Sequence, residues 1–242
     1  MTAPAARELT SPNTHAVVAR LLADEPARRV LDVPCGEGAF LARVRRAGLI
    51  GYGVDIANRL TAPDVRFARA DMSAGLPFET GAFDAVVCID GIEHLERPFD
   101  FVRECRRVLR SGGALIVSTP NISALRSRWR WLLTGFHNKQ KVPLNEQDPS
   151  PWHHVSLLSF PMLRYLLHRE GFRIRVIATN RIKLVSWLYG PLWPLAAVIT
   201  GGALWRWEDD PGQRRRNAEI LRQLLVPAVA FGETLIVKAE RL

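Results

Sequence analysis

Val30-Leu31-Asp32-Val33-Pro34-Cys35-Gly36-Glu37-Gly38 is the stretch on which the fold turns. Arg29 to Val33 (RVLDV) is short and mostly apolar, as a buried strand is, and Ala39 to Ala47 has helical spacing ended by Gly48. Between them, Gly36 and Gly38 let the backbone turn sharply and let a ligand approach with no Cβ in the way. The first turn of the following helix offers unpaired N–H groups to an anion such as a carboxylate. A strand, a glycine turn and a helix in this order build a ligand crevice at the carboxyl end of a parallel sheet.

Outward from this unit, strands and helices alternate. Thr14 to Ala23 (THAVVARLLA) reads as a helix with Asn13 or Thr14 as its cap. Leu49 to Asp55 and Val65 to Ala70 read as the second and third strands. Phe83 to Asp90 (FDAVVCID) is almost purely apolar, as a strand covered on both faces should be. Phe99 to Arg110 is an amphipathic helix that Ser111-Gly112-Gly113 is expected to stop, and Ala114 to Ser118 (ALIVS) is the fifth strand. The pattern predicts a doubly wound α/β fold with helices on both faces of a parallel sheet. Asp55 closes the second strand, where a carboxylate can accept hydrogen bonds from two ribose hydroxyls. Asp71 follows the third strand, placed to accept from an adenine amino group.

Two nucleotide-binding classes compete for this pattern. The dinucleotide fingerprint G-x-G-x-x-G fails, because Leu41 stands at the third glycine position counted from Gly36. From Val30 to Asn121 the chain instead resembles the class I S-adenosylmethionine-dependent methyltransferases, whose first motif reads hydrophobic-Asp-hydrophobic-Gly-Cys-Gly-x-Gly. The resemblance implies a Rossmann-like sheet of six parallel strands and an antiparallel seventh, with S-adenosyl-L-methionine as cofactor. It places Asp32, Gly36 and Gly38 along the methionine portion, Asp55 at the ribose, and Asp71 with Met72 at the adenine. Asp90 is counted with both the cofactor-binding and the catalytic residues. One departure stands out: Pro34 occupies the usual first glycine position. Proline fixes φ and removes a donor, so a stiffer loop and a weaker hold on the cofactor are expected.

Chemistry is expected where the fourth strand ends, in Ile89-Asp90-Gly91-Ile92-Glu93-His94-Leu95. A methyltransferase chiefly aligns acceptor and methyl donor. A hydroxyl acceptor also needs a base, and His94 is the leading candidate, because imidazole exchanges protons near neutral pH. His153 or His154 is a candidate second base. The Glu-His step followed by Pro98 is similar to the ubiquinone-pathway O-methyltransferases and to enzymes of polysaccharide and lipid pathways. Some of the former carry an acidic-x-x-Glu-His metal site, which Asp90, Glu93 and His94 could mimic; no metal ligand is assigned here. The Asn/Asp-Pro-Pro-aromatic element of base-modifying amino-methyltransferases is absent at this place.

Two regions should choose the acceptor. Residues 120–160 form an expected lid, in which Arg126, Arg128 and Arg130 interleave with Trp129 and Trp131 over Leu125 to Leu133. Arginine forks suit phosphate or carboxylate and tryptophan suits sugar faces or rings, while an amphipathic lid with a solvated basic face is the plainer alternative. Phe160 to Glu170, capped by Gly171, is a helix; Phe172 to Ala178 and Glu233 to Ala239 are the last two strands. Between them, residues 182–230 are an insertion containing Leu184 to Trp205, which has no charged residue. That run is long enough to span a bilayer. Yet Gly190, Pro191, Pro194, Gly201 and Gly202 interrupt it, and a crossing would separate the final strand from its own sheet. A lid over an apolar acceptor, an interface-lying element and a homodimer contact remain as readings, beside ordinary packing on the domain. Trp187, Trp193, Trp205 and Trp207 suit a membrane interface, and Arg206 with Arg214-Arg215-Arg216 suits anionic headgroups.

The 33 Lys and Arg against 24 Asp and Glu leave a net charge of +9, which favours anionic partners. Three cysteines form no CxxC pair, which fits a reducing compartment and excludes a disulfide framework and a structural zinc site. Met1 to Asn13 lacks an apolar core, so no secretory signal is expected. The expectation is therefore a single-domain cytoplasmic methyltransferase, with peripheral membrane contact through residues 184–216. It would methylate an oxygen of a small-molecule, glycan or lipid-linked acceptor. N- or C-methylation, a non-catalytic cofactor-binding scaffold and an RNA methyltransferase are the alternatives, and nucleic acid is the least expected partner.

Overall fold

The computed structural model describes residues 6–61, 65–148, 150–206 and 208–242. Seven strands form one sheet: β1 (Arg29–Asp32), β2 (Ile50–Asp55), β3 (Arg66–Arg69), β4 (Phe83–Ile89), β5 (Leu109–Pro120), β6 (Phe172–Thr179) and β7 (Thr234–Arg241). Their order is β3-β2-β1-β4-β5-β7-β6. Strand β7 runs antiparallel to both β5 and β6, so the other six are parallel to one another. The order reverses between β1 and β4, and the crevice at that switch point is where a doubly wound sheet binds its ligand.

Alternation along the central strands divides the core in two, because successive side chains point to opposite faces. Ala85 and Val87 of β4, Ile116 of β5 and Ile236 of β7 face one side. There they meet Val17, Val18, Leu21 and Leu22 of α1 (Thr14–Ala23) and Phe40 and Val44 of α2 (Ala39–Arg46). Val86, Cys88, Leu115, Val117, Leu235 and Val237 face the other. That face is covered by α3 (Pro98–Val108), through Phe101, Val102 and Cys105, and by α5 (Phe160–Arg169), through Leu163, Leu166 and Leu167. Full burial of each such side chain is worth about 1.5–3 kcal/mol. All three cysteines are buried and free.

Two local expectations are corrected. Asn13 stands at the N-cap of α1 with φ 67° but makes no side-chain capping bond. Helix α3 ends at Val108, and Ser111-Gly112-Gly113 does not stop it. The chain has already entered the sheet at Leu109, opposite Phe83, and the next pairing is Ala85 with Ala114. The glycine pair therefore serves a bulge in β5, which bends the edge of a strand without ending it.

Two elaborations leave the carboxyl edge of the sheet. After β5 the chain forms α4 (Leu125–Thr134) and a long irregular loop to α5. After β6 it forms a 3-10 turn (Leu184–Tyr189), α6 (Leu192–Arg206), α7 (Pro211–Leu224) and α8 (Pro227–Phe231) before β7. Asn121, at the end of β5, ties the two together by donating to the carbonyls of Ala228, Val229 and Gly232.

Candidate active site

The carboxyl ends of β1, β2 and β4 and the loop after β3 surround a cavity of about 640 Å³, a size usual for a cofactor site. Asp32, Gly36, Asp55, Asp71, Met72 and Asp90 all line it. Gly38 does not; it is the N-cap of α2, with φ 83° in the left-handed region that glycine enters without strain. Gly36, at φ 52°, has open space where a Cβ would stand, so its glycine serves the backbone turn.

Pro34 also lines the cavity and leaves it open. Its ring is seated on Gly91: a Cβ there would lie 2.4 Å from Pro34 Cδ. The loop loses one glycine and is accommodated by another, across from it on the loop after β4.

The site is rich in carboxylates. Asp32 is 2% exposed, and burial, reinforced by the nearby Asp55 charge, pushes its carboxyl well above the usual range. Asp55 Oδ2 accepts from Gly36 N at 3.0 Å, which locks the second strand end to the glycine turn. Asp71 is exposed, and its Oδ1 accepts from the backbone N and the hydroxyl of Ser73. A cationic ligand would relieve this crowding of carboxylates, because an opposite charge favours their ionised form.

At the end of β4, Asp90 has φ 46°, unusual for a residue other than glycine. Its Oδ1 accepts from Ser118 Oγ at 2.6 Å, and its backbone N donates to the same hydroxyl at 2.9 Å. Burial raises its carboxyl pKa, opposed by the Ser118 hydrogen bond. Glu93 lies in the 3-10 turn Ile92–His94 and is fully buried. Neither of its carboxylate oxygens has a hydrogen-bond partner, and the neighbouring Thr119 hydroxyl falls short of bonding geometry. Burial, with the Asp90 charge second, pushes its pKa up to about 8.

His94 lines the cavity, and its Nδ1 lies 3.0 Å from the carbonyl oxygen of His153. A carbonyl only accepts, so Nδ1 carries the proton and Nε2 of the neutral ring keeps its lone pair. His154 stands edge-on to His94 with ring centroids 4.9 Å apart, and burial lowers its pKa. His153 contributes its carbonyl; His154, not His153, brings its ring against the candidate base. Glu93, His94 and His154 offer ligand atoms within 4.8 Å of one another, an imidazole and carboxylate set that fits a first-row divalent ion. Asp90, turned to Ser118, is not in that group.

Sequence reasoning passed over several cavity residues. His15 looks like one more residue on the inner face of α1, yet it reaches the cavity, packs edge-on to Phe40, and its Nδ1 lies 3.8 Å from the Glu8 carboxylate without a hydrogen bond. Arg7, Leu9 and Thr10 cross the cavity, fastened by the Arg7 guanidinium and backbone N on the Glu37 carboxylate. Trp152 stands at the rim with Arg59 over its ring, 5.5 Å from the centroid. The one available signal was the aromatic and histidine cluster Trp152-His153-His154.

Residues 31–117 match the family described as "Methyltransferase domain". A ubiquinone biosynthesis O-methyltransferase of Paracidovorax citrulli is 31% identical over 114 residues, 43% of this chain and 48% of that protein. A probable S-adenosylmethionine-dependent methyltransferase of Mycolicibacterium smegmatis is 38% identical over 134 residues, 52% of this chain and 51% of that protein. The chain thus spans about half the length of the curated relatives it matches. Among solved structures, a possible histamine N-methyltransferase of Thermotoga maritima superposes with a TM-score of 0.59, at 18% identity, over 96% of this chain and 90% of that one. A [4+2]-cyclase shares the fold as well, with a TM-score of 0.54 at 20% identity, over 94% of this chain and 79% of that one. Fold alone therefore does not name a reaction. Residues 31–117 therefore resemble a methyltransferase domain, and the sheet around them has the doubly wound strand order of the solved structures that superpose on it.

Proposed function

We propose that this chain, with its class I methyltransferase domain, binds S-adenosylmethionine and methylates an oxygen of a small-molecule, glycan or lipid-linked acceptor, with His94 as general base. The observation that carries the reading is the His94 ring, whose Nδ1 faces a carbonyl and whose Nε2 is left free at the cavity. Relatives at 31% to 35% identity are named as ubiquinone biosynthesis O-methyltransferases.

Bound in the cavity, S-adenosylmethionine supplies a methyl group already activated on a cationic sulfur. The protein has then to orient and to move one proton. Asp55 and Asp71 offer acceptors to ribose and adenine, and Asp32 offers negative charge to the methionine end. His94 Nε2 would take the hydroxyl proton of the acceptor as its oxygen bonds to the methyl carbon, the carbon–sulfur bond breaking with its electron pair returned to sulfur so that S-adenosylhomocysteine leaves as a neutral thioether.

The test is calorimetric titration of S-adenosylmethionine and S-adenosylhomocysteine into wild type and Asp55→Ala, followed by transfer of labelled methyl to an acceptor panel. Micromolar binding, weakened by about 1–3 kcal/mol in Asp55→Ala, is expected from lost hydrogen bonds to a buried partner. Absence of binding to folded wild type would overturn the cofactor assignment. Binding with label appearing only on nitrogen or carbon would overturn the choice of oxygen.

A further inference from the structure

Helix α6 has no charged residue before Arg206 and buries none of its residues. Its inner face is nevertheless anchored. Leu192 and Ala196 pack against Leu125, Ala230 and Phe231, and Thr200 shares a crevice with Leu221 and Leu224. The opposite stripe, Leu195, Val198, Ile199 and Gly202, follows helical spacing and stands exposed, Val198 at 73%. The preceding turn continues it with Leu184 at 87% and Leu188 at 77%, and Trp205 closes it at 74%. A helix on a water-facing surface carries polar residues on that stripe. An exposed apolar patch of this extent marks an interaction surface.

Its occupant is indicated by three further features. Tryptophans rim the patch: Trp187, Trp193 and Trp205 on the insertion, with Trp131 beside Leu132 and Leu133 on α4, all exposed. Such rings favour the headgroup level of a bilayer. The flanking chain is basic. Between Asn121 and Asn145 stand Arg126, Arg128, Arg130, Lys139 and Lys141 and no acidic residue, while Arg214, Arg215 and Arg216 are exposed on α7, which packs on α6. Of the acidic residues between α6 and α7, Asp210 is occupied in capping α7 and Asp209 pairs with Arg214 at 3.7 Å, so Arg215 and Arg216 carry the basic patch. Finally, no helix is long and apolar enough among the described residues to cross a membrane. At 1.5 Å per residue α6 reaches about 22 Å, short of the roughly 30 Å hydrocarbon core.

We propose that the turn Leu184–Tyr189 and α6, with the adjoining tip of α4, dock this protein on an anionic phospholipid bilayer. Helix α6 lies in the interface plane with Leu195, Val198 and Ile199 in the acyl boundary, and Arg215 and Arg216 of α7 meet headgroups. Both elaborations rise from the carboxyl ends of β5 and β6, the sheet edge at which the candidate active site opens.

The experiment is flotation of the full chain with vesicles of phosphatidylcholine alone and of phosphatidylcholine with phosphatidylglycerol. Quenching of tryptophan fluorescence by brominated lipid supplies a readout that needs no variant. Partition onto anionic vesicles at least tenfold above neutral ones, with quenching, is expected. Val198→Glu/Ile199→Glu should lower partition at least tenfold while leaving circular dichroism unchanged. Arg215→Glu/Arg216→Glu should lower it about tenfold or more, each basic residue at an anionic surface being worth roughly a factor of five. Absence of vesicle binding by wild type, equal binding to both vesicles, or no quenching overturns the proposal. A dimer in sedimentation that Val198→Glu/Ile199→Glu dissolves, without vesicle binding, would assign the face to a second copy of the chain instead.

Discussion

The glycine-turn region around β1, β2 and β4 and the insertion between β6 and β7 break the same rule in opposite directions. In the first, ionisable groups are inside: Asp32 and Glu93 are buried, and neither carboxyl oxygen of Glu93 has a hydrogen-bond partner. In the second, leucine, valine and tryptophan are outside, on a helix with nothing buried. Elsewhere the core is ordinary, with aliphatic strands under amphipathic helices. Each inversion has an energetic cost that a fold alone does not require, and such departures concentrate at functional sites.

The sharpest way to break the comparison is His94→Ala. With the base removed, kcat for methylation of a hydroxyl acceptor should fall about 10²–10⁴-fold. Calorimetric affinity for S-adenosylmethionine should stay nearly unchanged, since the proposed binding groups are Asp32, Asp55 and the glycine turn. Full activity in the variant would leave the buried carboxylates as a binding device only.

Next in size is the seat of Pro34. Gly91→Ala drives a methyl into the Pro34 ring, 2.4 Å away, and should destabilise the protein by about 1–3 kcal/mol, read in urea unfolding. Pro34→Gly in the same chain should restore most of that loss. A Gly91→Ala variant as stable as wild type would show that the loop after β4 shifts freely.

A smaller effect concerns pH. Folded, Glu93 holds its proton to about pH 8; unfolded, it releases it in the ordinary carboxylate range. The folded state thus binds more protons between those values, so the stability Glu93 contributes is full at acid pH and lost as pH rises towards 8. The raised pKa values of Asp32 and Asp90 act in the same direction. Glu93→Gln should flatten the decline in thermal midpoint between about pH 5 and 8, by a few degrees. An unchanged slope would mean that Glu93 is ionised in the folded protein, as a bound divalent ion at Glu93, His94 and His154 would make it.

The smallest effect sharpens the other side. Val198→Glu/Ile199→Glu should change the unfolding free energy by no more than about 0.5 kcal/mol, because those side chains are exposed. A large loss would show that the stripe is packed in solution, and the contrast between the two regions would fail.

Legibility in the sequence followed the same division. The alternation from Arg29 to Ser118 predicts the strands to within about a residue of their observed starts, except where β5 begins early. Helix α3 there gives way to strand at Leu109, because pairing with Phe83 overrides the local helical pattern. The carboxylates Asp32, Asp55, Asp71 and Asp90 could be named because each ends or follows a strand, and strand ends meet at one crevice. His15, Arg7 and Trp152 could not, since they reach the cavity from segments whose placement no local pattern specifies. Which face of residues 192–206 is left uncovered could not be read from a run that is apolar all round; packing of Leu192 and Ala196 on Leu125, Ala230 and Phe231 decides it. Trp207 lies outside the described residues.

By itself the sequence determined the strand–turn–helix unit, the parallel sheet and the carboxylates at its edge, because periodicity and glycine placement are local properties of the chain. Tertiary structure alone decided that Pro34 is seated on Gly91, that Nδ1 of His94 faces the His153 carbonyl, and that His154 rather than Asp90 joins Glu93. It also decided that one face of an all-apolar helix is left uncovered. These are relations between segments far apart in the chain, and only packing brings them within a few ångströms.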